Sequence, residues 1–250
     1  MQDITVALAS KPFVNGDIGA NLTVVLATMA EGTALGADLV CFGEAFLQGF
    51  DSLCWDYAVD QSMALTRDSE PIRRIREASL QLGVDVLFGF LEREGEALYS
   101  SCMLVEKGEI ACCYRRVSRG WKEYRRTDSH YREGKGPALF DYRGWKCAIA
   151  LCGDLWDTTQ DSFRLGENLL FWPVYCGYSP EEWLGDTLAE YAAQCKAHAP
   201  LTLMINSQCG EDSFGGCAAF LEGNIAALLP PGREGLLTVR PLALMKGGEP

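Results

Sequence analysis

The chain has 250 residues and a formal net charge of -12, and hydrophobic side chains make up 48% of it. A chain of this length and composition can bury a full core, and we expect a single domain over residues 1–250. Its acidic surface would repel both a phosphate backbone and anionic lipids, so nucleic acid and membrane surfaces are excluded as expected partners.

The N-terminal segment and the cysteines indicate the compartment. No apolar run reaches the roughly 18 residues of a membrane span, and residues 1–12 lack the basic and apolar regions of a signal peptide. We therefore expect a cytoplasmic protein whose 11 cysteines are reduced thiols. A zinc site is not expected, because the sequence has no Cys-x-x-Cys pair and its only histidines are His130 and His198.

Apolar runs predict buried strands, and apolar residues at helical spacing predict amphipathic helices. The predicted strands cover residues 4–9, 38–42, 84–91, 97–106, 110–115, 137–142, 145–151, 168–172, 201–205, 217–221, 224–228 and 235–240. The predicted helices cover residues 18–35, 69–82, 158–167 and 181–198. Buried strands that alternate with amphipathic helices, with hairpins inserted, predict a layered α/β sandwich.

Three strand ends carry reactive side chains. Glu44 follows the strand at 38–42, Cys152 follows the strand at 145–151, and a cluster of cations opens the polar segment at 115–136. Strand ends in α/β folds are rigid and line one rim of the sheet, so their side chains can converge. A polar segment of about twenty residues is long for a mere connection, which indicates a functional loop.

Cys152 and Glu44 each have a functional and a structural interpretation. A cysteine at a strand-to-helix turn lies near backbone N–H groups, which favour its thiolate and can hold an oxyanion. A desolvated carboxylate after an apolar strand is a usable general base. Judged alone, Cys152 is equally compatible with a buried core cysteine and Glu44 with an exposed loop glutamate.

The cations of the long loop also have two interpretations. Catalysis would need one of them beside the nucleophile, to stabilise negative charge that develops on a substrate oxygen or nitrogen. The alternative is a solvated loop that forms ion pairs with the acidic surface. The cations are Arg115, Arg116, Arg119, Lys122, Arg125 and Arg126.

Taken in order, these segments resemble the nitrilase superfamily of carbon–nitrogen hydrolases. Gly43-Glu44 resembles the family's catalytic glutamate motif, although the family usually has proline where this chain has Gly43. The segment AIALCGDLW at 148–156 resembles the nucleophile motif, and its Cys-x-Asp-Leu-Trp form is typical of amidase and glutaminase branches. The resemblance spans residues 4–240.

The resemblance implies a four-layer α-β-β-α sandwich, a homodimer or higher homo-oligomer, and a Glu-Lys-Cys triad with no metal or organic cofactor. By analogy, Glu44 deprotonates Cys152, which attacks an amide, carbamoyl or nitrile carbon. A lysine then stabilises the tetrahedral intermediate, and Glu44 activates the water that cleaves the thioester.

The lysine is the point at which this chain departs from the family. The family's Tyr-Arg-Lys motif reads Tyr114-Arg115-Arg116 here, so direct alignment puts Arg116 at the lysine position, and Lys122 lies six residues further on. Because arginine differs from lysine in shape and rarely gives up a proton, we favour Lys122 as the catalytic lysine and keep Arg116 as the alternative cation.

Two acidic residues are candidates for supporting roles. Glu123 resembles a second glutamate that often follows the family's lysine. Asp154, two residues after the nucleophile, is expected to support the site, most simply as a cap of the following helix.

These features predict hydrolysis of a non-peptide carbon–nitrogen bond in a small amide or N-carbamoyl compound through a cysteine thioester. Nitriles are less favoured, because the Cys-x-Asp-Leu-Trp form is typical of amidases. Acyl transfer to another nucleophile stays open. The alternative from another class is an inactive homologue that binds a metabolite or a protein partner, and Arg116 is its main support.

Overall fold

The computed structural model of the protein describes residues 1–137, 139–156 and 165–248. Within these ranges it contains twelve strands, which are β1 (Val6–Ser10), β2 (Leu39–Cys41), β3 (Asp85–Glu94), β4 (Ala97–Glu106), β5 (Glu109–Arg115), β6 (Phe140–Tyr142), β7 (Trp145–Ile149), β8 (Leu169–Val174), β9 (Leu201–Cys209), β10 (Ser213–Leu221), β11 (Asn224–Leu229) and β12 (Gly235–Val239). The helices of the same ranges are α1 (Ile18–Ala34), α2 (Tyr57–Met63), α3 (Glu70–Leu82), α4 (Pro180–Glu182), α5 (Leu188–Lys196) and α6 (Pro241–Met245).

The strands form two six-stranded mixed sheets. The first sheet has the order β12-β1-β2-β3-β4-β5, and the second has the order β11-β10-β9-β8-β7-β6. Strands β1 to β3 are parallel in the first sheet, and strands β7 to β9 are parallel in the second. The outer strands of both sheets pair antiparallel. Consecutive strands form all of these pairs except that of β1 with β12, which come from opposite ends of the chain.

The first sheet is buried on both faces, which is why its strands read as continuous apolar runs. In β1, Val6 and Leu8 point into the core shared with the second sheet, whereas Ala7 and Ala9 point to the opposite face. Side chains of both sheets make up this shared core, so the sheets are stacked face to face.

Helices cover the two outer faces. Helix α1 packs Leu22, Val25 and Met29, and α3 packs Ile72 and Ile75, against the outer face of the first sheet. Helix α5 covers the second sheet through buried side chains such as Tyr191 and Cys195. The four-layer α-β-β-α sandwich predicted from the sequence is therefore confirmed. Within the described ranges, none of the helices is both long enough and apolar enough to span a bilayer.

The structure differs from the predicted elements in three places. Helices α2 and α6 were not predicted, because neither is long enough to show a clear apolar period. The helix predicted at 181–198 is interrupted by a π-helical segment, Trp183–Thr187, in which Gly185 has non-helical dihedral angles. Most of the helix predicted at 158–167 lies outside the described residues.

Gly89 in β3 fixes the loop that carries Glu44. Its N–H donates to the carbonyl of Gly43 at 3.2 Å, so the two backbones cross closely. A Cβ atom on Gly89 would lie 2.4 Å from the nitrogen of Ala45 and 2.7 Å from the Cα of Glu44. Because backbone atoms cannot move aside as a flexible side chain does, the crossing requires glycine.

Gly89→Ala is therefore expected to lower the free energy of unfolding by about 3 kcal/mol, because the new methyl group overlaps a packed backbone. Urea denaturation measures this loss. Gly19→Ala is the matched control, since a Cβ at this position of α1 would lie 3.6 Å from its nearest neighbour, Asp17 Oδ1. The control is expected to be neutral or to gain about 0.5 kcal/mol. Equal effects at the two positions would contradict the close crossing.

Candidate active site

Two of the reactive strand ends meet in a buried ion pair. Glu44 follows β2 and Arg116 follows β5 of the same sheet. The Nη1 atom of Arg116 lies 2.9 Å from Oε1 and 3.1 Å from Oε2 of Glu44. Glu44 is 0% exposed and Arg116 is 3% exposed, so the pair is withdrawn from water.

Two serines complete the hydrogen bonds of this ion pair. The Ser100 hydroxyl, in β4, donates to Glu44 Oε1 at 2.7 Å. The Arg116 Nε donates to the Ser118 hydroxyl at 2.8 Å. A buried charge is tolerated only when it is paired and hydrogen-bonded, and both members of this pair satisfy that condition.

The guanidinium of Arg116 also faces the nucleophile turn. A Cβ atom on Gly153, the residue after Cys152, would lie 2.5 Å from Arg116 Nη2. Burial works against the charge of Arg116, but the neighbouring Glu44, Cys152 and Asp154 outweigh it and raise its pKa above the ordinary value. The site therefore holds a permanent positive charge next to Cys152.

Cys152 begins a 3-10 turn, Cys152–Leu155, and two residues separate this turn from the end of β7. Its φ angle is +39°, a left-handed conformation that is unusual for a residue with a side chain and typical of functional sites. Its carbonyl accepts a hydrogen bond of 2.9 Å from the indole N–H of Trp172, and its sulfur lies 3.7 Å from the carbonyl oxygen of Tyr175. The turn is therefore anchored on β8 and on the chain after it.

The surroundings of Cys152 favour its thiolate. The neighbouring side chain of Cys176 is the main influence that lowers the pKa of Cys152. Burial acts in the opposite direction, and the positive charge of Arg116 adds to the lowering. A thiol with a lowered pKa beside a fixed cation is the usual environment of a nucleophilic cysteine.

The sequence favoured Lys122 as the catalytic lysine, but in the structure Lys122 contacts other groups than Glu44 and Cys152. Its ammonium lies 2.9 Å from the Glu133 carboxylate and donates to the carbonyl of Tyr131. Arg116, the alternative cation, is the residue that contacts Glu44. The difference follows from the path of the chain. Arg116 is the first residue after β5, whereas Lys122 comes only after a 3-10 turn over Arg119–Trp121.

Glu123 is likewise placed apart from the cluster. It is exposed, and its carboxylate accepts a local hydrogen bond of 3.3 Å from the N–H of Arg125. The glutamate that meets a lysine in this loop is Glu133.

Asp154 does more than the helix cap expected from the sequence. Its carboxylate is 1% exposed and accepts four hydrogen bonds. One comes from the N–H of Leu151 beside the turn, at 2.8 Å, and one from the hydroxyl of Tyr114 in β5, at 2.6 Å. Two come from the loop after Arg116, the N–H groups of Val117 at 3.1 Å and Ser118 at 2.7 Å. Asp154 thus joins the turn of Cys152 to the loop of Arg116.

The contacts of Gly43 with Ser207 account for a glycine at the position where the family usually has proline. Its N–H donates to the hydroxyl of Ser207 at 3.3 Å, a bond that proline cannot make. A Cβ atom on Gly43 would lie 2.5 Å from the same hydroxyl oxygen. The serine occupies the space that a larger residue would need.

The sequence analysis missed Ser100, Ser118 and Cys176. Ser100 lies inside a strand and Cys176 is one of 11 cysteines, so no motif distinguishes them. Ser118 follows Arg116 by two residues, and this spacing was the only available signal. Over the ranges that the structure describes, no three His, Cys, Asp or Glu side chains are grouped as a metal site would require.

The comparison with known families agrees with this geometry. The model of the carbon–nitrogen hydrolase family matches residues 5–240. The chain belongs to this family. The resemblance inferred from its motifs is therefore confirmed, and its fold is the one that carbon–nitrogen hydrolases share.

Curated relatives of this carbon–nitrogen hydrolase include enzymes with different substrates. A nitrilase of Pseudomonas syringae pv. syringae is 28% identical over an alignment 271 positions long, gaps included. The alignment covers 91% of this chain and 79% of that protein. A glutamine-dependent NAD(+) synthetase of Thermotoga maritima is 27% identical over 174 residues. That alignment covers 68% of this chain but only 29% of the synthetase, so the chain spans a minor part of that relative.

Solved structures show the same fold. An amidase from Nesterenkonia sp. superimposes with a TM-score of 0.75 at 18% identity, covering 95% of this chain and 89% of that one. A glutamine-dependent NAD+ synthetase from Acinetobacter baumannii superimposes with a TM-score of 0.74 at 20% identity, covering 95% of this chain and 45% of that one. Similarity at this level of identity extends to the architecture alone.

Asp154→Ala is expected to lower the free energy of unfolding by about 3 kcal/mol, because it leaves three buried N–H groups without their acceptor. Urea denaturation measures the loss. Asp141→Ala removes an exposed aspartate of β6 and serves as the control, with an expected change within about 0.5 kcal/mol. If the two variants were equally stable, Asp154 would not hold the turn and the loop together.

Proposed function

We propose that the protein hydrolyses the carbon–nitrogen bond of a small amide or N-carbamoyl compound, with Cys152 as nucleophile, Glu44 as general base and Arg116 as the cation of the site. The observation that carries this proposal is the buried Glu44–Arg116 ion pair, whose guanidinium lies against the Cys152-Gly153 turn. It supplies a base and a fixed positive charge beside a thiol whose pKa is lowered.

The reaction needs an acceptor for the thiol proton and a stabiliser for the developing oxyanion. Glu44 takes the proton from Cys152, and the sulfur attacks the carbonyl carbon. The negative charge that forms on the carbonyl oxygen is stabilised by the guanidinium of Arg116 in a site withdrawn from water. Because arginine holds its protons, Arg116 contributes charge and hydrogen bonds but transfers no proton.

Glu44 therefore carries the proton in both halves of the reaction. As the carbon–nitrogen bond breaks, the protonated Glu44 gives its proton to the leaving nitrogen, which departs as ammonia or an amine. Glu44 then takes a proton from water, the water oxygen attacks the thioester carbon, and the carbon–sulfur bond breaks. The carboxylic acid leaves, and Glu44 returns its proton to the sulfur, which regenerates the Cys152 thiol.

Nitrile hydrolysis is a second candidate, because the alignment with the Pseudomonas nitrilase covers most of both chains. The amide remains the first choice, since the Cys-Gly-Asp-Leu-Trp segment has the amidase form. The glutamine-dependent relatives make glutamine one amide to include in a substrate panel. We also propose that residues 1–250 form a single domain, that the protein is a homo-oligomer and that it is cytoplasmic.

The test is ammonia release from propionamide, glutamine, N-carbamoyl-β-alanine and phenylacetonitrile. The wild type is expected to release ammonia from an amide or N-carbamoyl compound, and Cys152→Ala is expected to abolish it. Arg116→Met should lower kcat by about 10²- to 10³-fold, because one oxyanion-stabilising group is lost. Lys122→Met is the matched cation control and should lower kcat by less than about tenfold, because it removes a peripheral ion pair.

Other outcomes distinguish the alternatives. If Lys122→Met is the inactive variant and Arg116→Met is not, the cation has been misassigned. Release of ammonia from the nitrile alone would favour the second candidate. In a further outcome, the wild type releases ammonia from none of the compounds, and Cys152 reacts no faster with alkylating agents than the other thiols. This result would favour an inactive homologue that binds a metabolite or a partner.

A further inference from the structure

Ser118 has a buried hydroxyl group whose own proton is unused. The residue is 3% exposed, and its oxygen accepts a hydrogen bond of 2.8 Å from Arg116 Nε. A hydroxyl group accepts through its lone pairs and has one proton left to donate. Among the residues that the structure describes, none accepts a hydrogen bond from the Ser118 hydroxyl.

The guanidinium of Arg116 also has unused donors. Its Nε donates to Ser118, and its Nη1 donates to both carboxylate oxygens of Glu44. Within the described ranges, the N–H bonds of Nη2 have no acceptor. Because an unused donor in a buried place costs free energy, it calls for an explanation such as a catalytic role or a bound molecule.

These unused donors converge on the residue that follows the nucleophile. A Cβ atom on Gly153 would lie 2.5 Å from Arg116 Nη2 and 3.2 Å from Ser118 Oγ. Since Gly153 has no Cβ atom, this place is left to another group. The oxygen of a substrate carbonyl that reacts with the neighbouring Cys152 would be within reach of both donors.

Ser118 shares an anchor with the turn of the nucleophile. Its N–H donates to Asp154 Oδ1 at 2.7 Å, and the N–H of Leu151 donates to Asp154 Oδ2 at 2.8 Å. The hydroxyl therefore keeps a fixed place relative to the turn before a substrate arrives. The hydrogen bond from Arg116 Nε also polarises the Ser118 hydroxyl, which strengthens it as a donor.

We propose that Ser118 is a catalytic residue whose hydroxyl, together with Arg116 Nη2, donates to the substrate oxygen as negative charge develops on it. This role rests on the proposed function, in which the Cys152 sulfur attacks the carbonyl carbon. As the sulfur–carbon bond forms, the electron pair of the carbonyl π bond moves to the oxygen, and both donors stabilise it without giving up a proton. When the carbon–nitrogen bond breaks, the pair returns and the carbonyl re-forms.

The experiment compares two reactions of the Cys152 thiol. Propionaldehyde adds to it reversibly: the sulfur–carbon bond forms, the carbonyl π bond breaks and the thiol proton moves to the oxygen, which takes the place of the oxyanion. Iodoacetamide alkylates the same sulfur with loss of iodide and proton, and it leaves no oxygen on the attacked carbon. Protection of Cys152 from iodoacetamide, read by peptide mapping, gives the Kd of the aldehyde.

Ser118→Ala is expected to raise the Kd of the aldehyde about tenfold and to change the alkylation rate without aldehyde by less than about twofold, because only the aldehyde adduct uses the hydroxyl. Ser118→Thr keeps the hydroxyl and should keep the Kd close to that of the wild type. Ser101→Ala is the matched control and should change neither quantity, since its equally buried hydroxyl donates to Glu92.

Two further measurements do not depend on the alanine variant of Ser118 in the aldehyde assay. Gly153→Ala leaves Ser118 in place but puts a methyl group in front of both donors, so it should weaken aldehyde binding at least as much. On a substrate that the wild type hydrolyses, Ser118→Ala should lower kcat by about 10- to 100-fold with little change in KM, because the hydroxyl acts mainly in the transition state.

The inference is overturned if Ser118→Ala leaves the Kd of the aldehyde unchanged, or if the aldehyde does not protect Cys152 of the wild type. It is also overturned if Ser118→Ala slows alkylation as much as it weakens aldehyde binding, since the hydroxyl would then act only on the thiol or the ion pair. Aldehyde binding that depends on Ser118, in a protein that hydrolyses nothing on the substrate panel, would support the donor and contradict the proposed function. Normal hydrolysis by Ser118→Ala would contradict only the role of Ser118.

Discussion

The ion pair between Glu44 and Arg116 is the constraint on which the arrangement of the site depends. Removing two charges from water costs several kcal/mol per ion, and their attraction compensates only when the geometry is good and the remaining donors are satisfied. Here the carboxylate receives Nη1 and the Ser100 hydroxyl, and Nε donates to Ser118. The pair joins the ends of β2 and β5, so each charge holds the other next to Cys152.

Two glycines and one aspartate near this ion pair hold the surrounding backbone in place. Gly89 allows the strand beneath Glu44 to cross its loop closely, and Gly153 leaves space for the guanidinium beside the nucleophile. Asp154 joins the turn of Cys152 to the loop of Arg116 through buried hydrogen bonds. These contacts give Cys152, Glu44 and Arg116 fixed positions before a substrate arrives, and the proposed catalysis would rely on this electrostatic preorganisation.

The sequence was sufficient to predict the layers of the fold and the strand ends that carry Glu44 and Cys152. Continuous apolar runs ending at Glu44 and Cys152 signalled strands buried on both faces, and the structure has β2 and β7 there. The sequence alone could not decide between Arg116 and Lys122 as the cation of the site, because that choice depends on where the chain turns after β5. Three of the four hydrogen bonds of Asp154 come from a segment that the fold, and not the sequence order, brings next to it.

A double-mutant cycle on the free energy of unfolding tests the central claim most directly. The variants are Glu44→Gln, Arg116→Met and the double substitution, each measured by urea denaturation. Either single change leaves a buried charge without its partner and should cost about 3–5 kcal/mol. The double change removes both charges, so its cost should be smaller than the sum of the two by about 2 kcal/mol or more. Costs that add to within about 0.5 kcal/mol would show that the two side chains do not interact and would contradict the account.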